Sequence, residues 1–398
     1  MTIFTCWNTM VGSGIVSLPW TFQESGFLLG LIICIVSLFV SYRTCILMIR
    51  VAGNDKNYFD TLYKYWGKWA YYCGFVSALL IFIAAVTAYF INLSSMLYYI
   101  ALALGDWIIN PAVPYKPIND AVFNQFSLAY MAIVVFVIEM IITAKKDLSI
   151  FIRLMAYGSA FIMALIIFII GFGFYGFAST HYEIEPASFN IPPYTDKDGP
   201  RYIKLFNADF SPLAGALGIG YFLHTVSLDI VRNNANQEKN ERDVFLGYLL
   251  VGFTYISVGI MGSIGFVGSY FSEFYINNKT QTMEQNCMNM FDVKDGLAFA
   301  MRFALFALLF CCFPLINHFL RTMVLALFYR DTEASQKVFL LVNFCCLIVP
   351  TLITIFYPKI GSILGSIGAV AGLLIVYILP VVTHLKKFRT QIQHPLLA

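Results

Sequence analysis

Long apolar runs recur along nearly the whole chain of 398 residues, and they limit its possible folds more than any other feature. A helix needs about 20 apolar residues to cross a bilayer. We identify ten runs that suit such spans: 1–22, 27–48, 70–104, 126–142, 150–177, 213–230, 244–270, 297–328, 337–356 and 360–384. Lipid admits only helices or closed barrels, and these runs exceed the length of barrel strands. The sequence therefore predicts an all-α polytopic membrane protein.

Composition excludes the other classes of protein. Charged residues make up 12% of the chain and hydrophobic residues 59%, whereas soluble domains carry about 25% charged residues. This rules out a soluble enzyme, a disordered protein and a secreted disulfide scaffold. A net charge of +3 is too small for a nucleic-acid-binding surface. We find no nucleophile elbow, metal cluster or phosphate loop in a suitable place, so we expect neither an enzyme nor a cofactor.

The distribution of basic residues predicts the orientation of the spans. Most of the 25 Lys and Arg residues lie in one set of connections, which places those loops and the N-terminus in the cytosol. The opposite loops contain the sequon Asn278-Lys279-Thr280, so Asn278 is the predicted glycosylation site.

Two glycine-rich spans occupy matching places in the two halves of the chain. The first contains Gly12-Ser13-Gly14, and the sixth contains Gly215, Gly218 and Gly220. The third and eighth spans, both unusually long, are also five spans apart, an offset that reverses direction across the membrane. A single such span more often reflects close helix packing, but this pairing favours an inverted repeat with a broken first and sixth helix. We expect one transporter domain, 1–398, with repeats at 1–177 and 210–385, a luminal loop at 178–209 and a cytosolic tail at 386–398.

A helix broken within the membrane exposes two kinds of backbone group. The half-helix before the break ends in carbonyls, which attract cations, and the half-helix after it begins with N–H groups, which attract anions. Side by side, these ends suit a zwitterion such as an amino acid.

Four segments resemble the amino acid/auxin permease family over nearly the whole chain. They read TIFTCWNTMVGSGIVSLPW at 2–20, RNNANQEKNERD at 232–243, EQNC at 284–287 and YPKIG at 357–361. Within the family, the chain is most similar to sodium-coupled neutral amino acid transporters of the lysosomal, arginine-sensing type. The resemblance implies a LeuT-like fold of five plus five spans.

The resemblance also implies candidate site residues. For substrate they are Thr9, Met10, Val11, Gly12, Ser13 and Gly14 in the first span, with Gly218 and Gly220 in the sixth. For a cation they are Asn8, Gly12, Cys311 and Cys312. The alternative for Asn8 and Thr9 is hydrogen bonding between helices.

Several features depart from the family pattern. Cys311 and Cys312 precede Pro314, where sodium-coupled members carry a hydroxyl residue, and a thiol is a poor ligand for a hard cation. Sodium coupling is therefore in doubt, and protons carried by His224 or His318 are the alternative, although a structural role is commoner for such histidines. We expect the family's eleventh span and long N-terminal segment to be absent, and we find no luminal partner for Cys287.

Two further segments carry predictions of their own. Residues 58–66 form a predicted amphipathic surface helix that anchors to the membrane or gates an inner vestibule. Glu139, near the end of the fourth span, is predicted to reach the membrane surface or to pair with a base.

These observations favour a secondary amino-acid transporter working by alternating access, driven by sodium or protons, in a lysosomal or vacuolar membrane, with the plasma membrane as the alternative. Its expected partners are the amino acid and the lipid bilayer. Two alternatives stay open at this point: an amino-acid-sensing receptor with little flux, and a structural subunit of a membrane complex.

Overall fold

The computed structural model describes residues 2–53, 55, 57–109, 123, 126–144, 149–179, 181–184, 201–234, 236–266, 283–293, 295–328 and 335–393. The predicted glycosylation site, Asn278, lies outside these residues.

The described part of the first half begins with an interrupted helix. Helix α1 (Thr2–Met10) is separated by Val11 and Gly12 from a 3-10 turn (Ser13–Ser17), which leads into α2 (Leu18–Ser25). The following helices are α3 (Phe27–Ala52), α4 (Tyr58–Trp66), α5 (Lys68–Ile109), α6 (Leu128–Thr143) and α7 (Ser149–Ser179).

The second half also begins with an interrupted helix. Helix α8 (Ser211–Gly220) and α9 (Ser227–Arg232) flank an irregular turn. Then follow α10 (Asn240–Phe266), α11 (Gly296–Phe328) and α12 (Gln336–Phe356). The last helix starts as α13 (Ile360–Ile367), is π-helical over Gly368–Ile378 and ends as α14 (Leu379–Gln393).

The described secondary-structure elements are helical, as predicted, apart from one small two-stranded β-sheet. Strands β1 (Tyr182–Ile184) and β2 (Arg201–Ile203) pair in parallel, with Tyr182 opposite Arg201. Both lie between α7 and α8, within the predicted luminal loop.

The described helices define an integral membrane protein. Seven of them are long and apolar enough to span a bilayer, while α6 and α8 are apolar but shorter. A helical segment lies at each of the ten predicted spans, and the number that cross the membrane stays a prediction.

The two longest helices form the centre of the molecule. Helices α5 and α11, the predicted third and eighth spans, pack extensively on each other, and α7 packs against both α10 and α11. Phe90 of α5 meets Phe313 of α11 with ring centroids 5.7 Å apart. These helices bury the core against which the interrupted helices lie.

The predicted surface helix at 58–66 has the same bounds as α4. Asn57 caps its start, because the Asn57 side chain accepts a hydrogen bond from the Asp60 N–H at 2.8 Å. The buried Tyr58 hydroxyl donates to the Ile375 carbonyl at 2.8 Å, which ties α4 to the last helix.

Candidate functional site

The first interruption lies where the glycines predict it. Gly12 is extended, with φ −119° and ψ −159°, and has no side chain of its own to cap the 3-10 turn that begins after it. The Tyr89 hydroxyl of α5 is hydrogen-bonded to Ser13 at the start of this turn. Pro19 stands in the first turn of α2, where its missing N–H costs nothing. The last carbonyls of α1 thus face a break from one side, and the first N–H groups after Gly12 face it from the other.

The second interruption lies later than its glycines predict. Helix α8 continues through Gly215 and Gly218 and breaks only after Gly220, over residues 221–226. Gly218 lies within the last turn of α8, two residues before the helix ends at Gly220, and is therefore not a break residue.

Gly215 and Gly218 serve helix packing instead. A Cβ on Gly215 would lie 1.9 Å from the Gly365 carbonyl oxygen, and one on Gly218 would lie 3.0 Å from that of Gly368. The missing side chains let α8 touch the last helix backbone to backbone. For these two glycines the packing interpretation explains the structure, and only Gly220 adjoins the break.

One tyrosine side chain contacts both interruptions. The buried Tyr255 of α10 places its hydroxyl 2.8 Å from the Met10 carbonyl and 3.1 Å from the Gly220 carbonyl. Each carbonyl ends the helix before a break, so its intrahelical donor is missing. Tyr255 supplies a shared donor and brings the two breaks together in the core.

Helix α10 also holds both halves of the first span. The Trp7 indole N–H donates to the Thr254 hydroxyl at 3.1 Å, and the Ser263 hydroxyl donates to the Pro19 carbonyl at 2.7 Å. With Tyr255 between them, these bonds couple α1, the break and α2 to a single neighbouring helix.

Helix α5 supplies the opposite wall. The Tyr89 hydroxyl lies 3.0 Å from the position that a Cβ on Gly12 would take. The Asn92 amide donates to the Ser13 carbonyl at 3.3 Å. Sequence reasoning missed Tyr89, Asn92 and Tyr255. An amide in the middle of an apolar span was the available signal for Asn92, whereas tyrosine is too frequent in this chain to single out.

The predicted site residues differ in exposure. Met10, Val11 and Ser13 are buried, Gly12 and Gly14 are partly buried, and Asn8 and Thr9 are exposed. The Thr9 hydroxyl donates to the Thr5 carbonyl within α1 at 2.7 Å, which is not the bond between helices that the alternative expected. Asn8 shares the exposed face of α1.

A polar segment, residues 283–293, closes one side of the site. The Asn286 amide donates to Asn92 at 2.8 Å, and the Ser95 hydroxyl donates to Asn289 at 3.0 Å. Gln285 accepts from the Gly361 N–H at 2.9 Å, so the segment bridges α5 and α13. Its 3-10 turn also contacts the one that follows Gly12.

Buried Arg302 of α11 pins this segment. Its guanidinium donates to the carbonyls of Met288, Phe291 and Asp292 at 2.6–3.2 Å. The guanidinium also lies over the Tyr99 ring, 4.4 Å from its centroid. A membrane-depth arginine thus has a structural explanation here.

Three of the chain's cysteines lie at or near the site. The structure forms no disulfide among the nine cysteines, all of which it describes. Cys287 is buried in the closing segment, and burial raises the pKa of its thiol. Cys312 is buried in α11 and Cys311 partly so. Pro314 lacks an N–H, so the Phe310 carbonyl loses its intrahelical donor beside these thiols.

The two predicted proton-carrying histidines lie apart. His224 belongs to the second interruption, is fully buried, and places Nε2 3.0 Å from the Thr44 hydroxyl of α3. His318 belongs to α11, with Nδ1 3.2 Å from the Arg321 guanidinium. Among the described residues, no group of three or more His, Cys, Asp or Glu side chains is arranged to hold a metal ion.

Two interrupted helices that meet inside a bundle of long apolar helices define the class of this protein. Such breaks leave backbone groups unpaired at membrane depth, which lipid cannot satisfy, and they are typical of membrane transporters.

Comparison with known proteins identifies the family. The model of the family described as transmembrane amino acid transporter protein matches residues 1–394, so the chain belongs to that family. A Caenorhabditis elegans relative, sodium-coupled neutral amino acid transporter 9 homolog, is 23% identical over 97% of this chain and 68% of its own length. Neutral amino acid transporter 9 of Danio rerio is 24% identical over 98% of this chain and 75% of its own. The resemblance stated from the sequence motifs is confirmed.

Proposed function

We propose that this protein is a secondary active transporter that carries amino acids by alternating access, with the substrate bound between the two helix interruptions. The observation that carries this proposal is the meeting of both breaks at Tyr255 in the core. The N–H groups that begin the turn after Gly12 suit the substrate carboxylate, and the carbonyls that end α1 suit its amine or a cation.

The described residues around the breaks favour a neutral substrate side chain. Those nearest are Met10, Gly12, Tyr89, Asn92 and Tyr255, and none carries a charge. The names of the relatives, which are neutral amino acid transporters, agree with this choice. A cationic amino acid would need a carboxylate partner that these residues do not offer.

The asymmetry around the site supports alternating access. Asn8 and Thr9 are exposed on the side where the chain begins, while segment 283–293 covers the other side. In the proposed cycle, the interrupted helices move with α10 against α5 and α11. The LeuT-like five-plus-five arrangement, with repeats at 1–177 and 210–385, belongs to this proposal.

Several finer points are part of the proposal. We place the N-terminus in the cytosol and the protein in a lysosomal or vacuolar membrane, on the Lys and Arg distribution and the family resemblance. Asn8, Gly12, Cys311 and Cys312 remain the candidates for a sodium site.

Ligand binding and flux test the proposal together. Purified protein is heated with each of a panel of amino acids, in sodium or choline and at two pH values, and a ligand that binds the folded state raises the unfolding temperature. Labelled amino acids are then offered to proteoliposomes. Stabilisation with flux supports the transporter. Stabilisation without flux points to a receptor, and neither effect in folded protein points to a structural subunit.

A further inference from the structure

Glu139 on α6 is buried in a way that the proposed site does not explain. Its side chain is fully buried, and among the described residues neither carboxyl oxygen has a hydrogen-bond partner. It continues the inward-facing row of Ala132 and Val135 and precedes Thr143 by one turn. The burial of Glu139 contradicts the prediction that it reaches the membrane surface, and the described residues include no base paired with it.

A carboxyl group in such a place depends on a proton. An ionised carboxylate without donors is very unfavourable in an apolar interior, while the protonated acid is neutral. The Arg321 guanidinium does not stabilise an ionised Glu139 by a hydrogen bond. Arg321 of α11 donates to the Thr143 carbonyl at 2.8 Å and to the Asn343 amide oxygen at 2.9 Å, and it also contacts His318. All these partners are uncharged acceptors.

Besides Arg321 and His318, the described titratable groups on the helices packed against α6 include thiols and phenols. Helix α11 contributes Cys311, which lies within electrostatic range of Glu139, and α12 contributes Cys346 beside Arg321. Helix α5 brings Tyr98 and Tyr99 to the far end of α6, against Leu128. Leu128 is 11 residues from Glu139, or about 16 Å along the helix.

Glu139 lies within electrostatic range of groups on the way to the first helix break. Cys311 interacts electrostatically with Glu139, Cys312 follows Cys311 in α11, and Tyr89, which is hydrogen-bonded to Ser13, interacts electrostatically with Cys312.

The two histidines are bound differently. A guanidinium only donates hydrogen bonds, so His318 Nδ1 must accept from Arg321. The Thr44 hydroxyl donates to the Val40 or Ser41 carbonyl, so His224 Nε2 donates to it. Each histidine ring has one nitrogen held by a hydrogen bond, whereas neither carboxyl oxygen of Glu139 has a hydrogen-bond partner among the described residues.

We propose that Glu139 is the binding site for a coupling proton, which is bound in the conformation described and released in the opposite one. This inference rests on the proposed transport function and names its driving ion. It requires a pH gradient, rather than a sodium gradient, to drive accumulation.

The test compares Glu139→Gln with the wild type in proteoliposomes, using a ¹⁴C-labelled mixture of the common amino acids. Glutamine has the shape of the protonated acid and cannot release a proton. E139Q should therefore exchange internal for external amino acid at equal pH, within about threefold of wild type. It should lose accumulation driven by a gradient of one pH unit, which for one proton per substrate is up to about tenfold. Glu24→Gln, the same change at the end of α2, should accumulate like wild type.

Each result has one meaning. Accumulation by E139Q at the wild-type level, or exchange lost in folded E139Q, overturns the inference. So does loss of coupling in His224→Gln or His318→Gln but not in E139Q.

If wild type exchanges amino acids but does not accumulate them in response to the pH gradient, this inference fails and the transporter proposal stands. If wild type neither exchanges nor accumulates, the transporter proposal fails. Should E139Q not fold, the proton flux that accompanies amino-acid uptake by wild type, followed with a pH dye, decides, and its absence overturns the inference.

Discussion

Tyr255 offers the most direct test of the site, because its single hydroxyl contacts the carbonyls of both helix interruptions. Tyr255→Phe removes the donor shared by the buried Met10 carbonyl and the partly buried Gly220 carbonyl. An unsatisfied buried acceptor costs about 1–3 kcal/mol. If the arrangement that binds substrate is disfavoured by about 1.4 kcal/mol, the apparent Kd for the amino acid rises about tenfold.

Tyr58→Phe is the matched control. Tyr58 is also fully buried and also donates to one backbone carbonyl at 2.8 Å, but that carbonyl belongs to Ile375 in the last helix. Both variants should lose a similar amount of stability. Only Y255F should weaken binding of the amino acids that stabilise wild type, measured by thermal shift over a range of ligand concentration.

Two results would refute the reasoning. Wild-type affinity in Y255F, within twofold, would show that the shared donor does not shape the substrate site. An equal loss of affinity in Y58F would show that the effect is a general loss of stability rather than a link between the breaks.

Three further variants test the packing and polar contacts around the site. Gly12→Ala should lower amino-acid binding in the thermal-shift assay while the protein still folds, because its Cβ would lie 3.0 Å from the Tyr89 hydroxyl. Gly14→Ala is the control: the nearest contact of its Cβ would be at 3.7 Å, so it should bind nearly as wild type. Gly215→Ala should lower the unfolding temperature sharply, because its Cβ would lie 1.9 Å from the Gly365 carbonyl oxygen. Gly171→Ala is the control: its Cβ would meet nothing within 4 Å, so the unfolding temperature should be unchanged or raised. Arg302→Met should speed amide hydrogen exchange across residues 283–293, because three carbonyls lose their donors; unchanged exchange there would contradict the pinning role.

Local sequence signals predicted much of the fold. The length of the apolar runs located the helices, because lipid admits only helices or closed barrels and these runs are longer than barrel strands. The amphipathic helix predicted at residues 58–66 has the bounds of α4. The Gly12-Ser13-Gly14 motif located the first interruption, since a glycine pair around a small residue removes the side chains that favour a continuous helix.

The same signals were ambiguous in the sixth span. Gly215, Gly218 and Gly220 have the spacing expected both for a break and for close packing, and the sequence cannot tell which surface faces a partner helix. The neighbouring backbone of Gly365 and Gly368 decides for packing at the first two. The break then falls on residues 221–226, a stretch without a glycine.

The sequence by itself determined the class of protein, the order of its helices and the family, because hydropathy and short motifs are local properties of the chain. Only the tertiary structure decided which side chains join the breaks and which buried groups lack partners. Tyr255 lies 245 residues from Met10 in the chain. Glu139 differs from other polar residues of the spans because no described donor lies within hydrogen-bond distance of its carboxyl oxygens. Such relations depend on how distant helices face one another, and a linear pattern of residues does not contain that information.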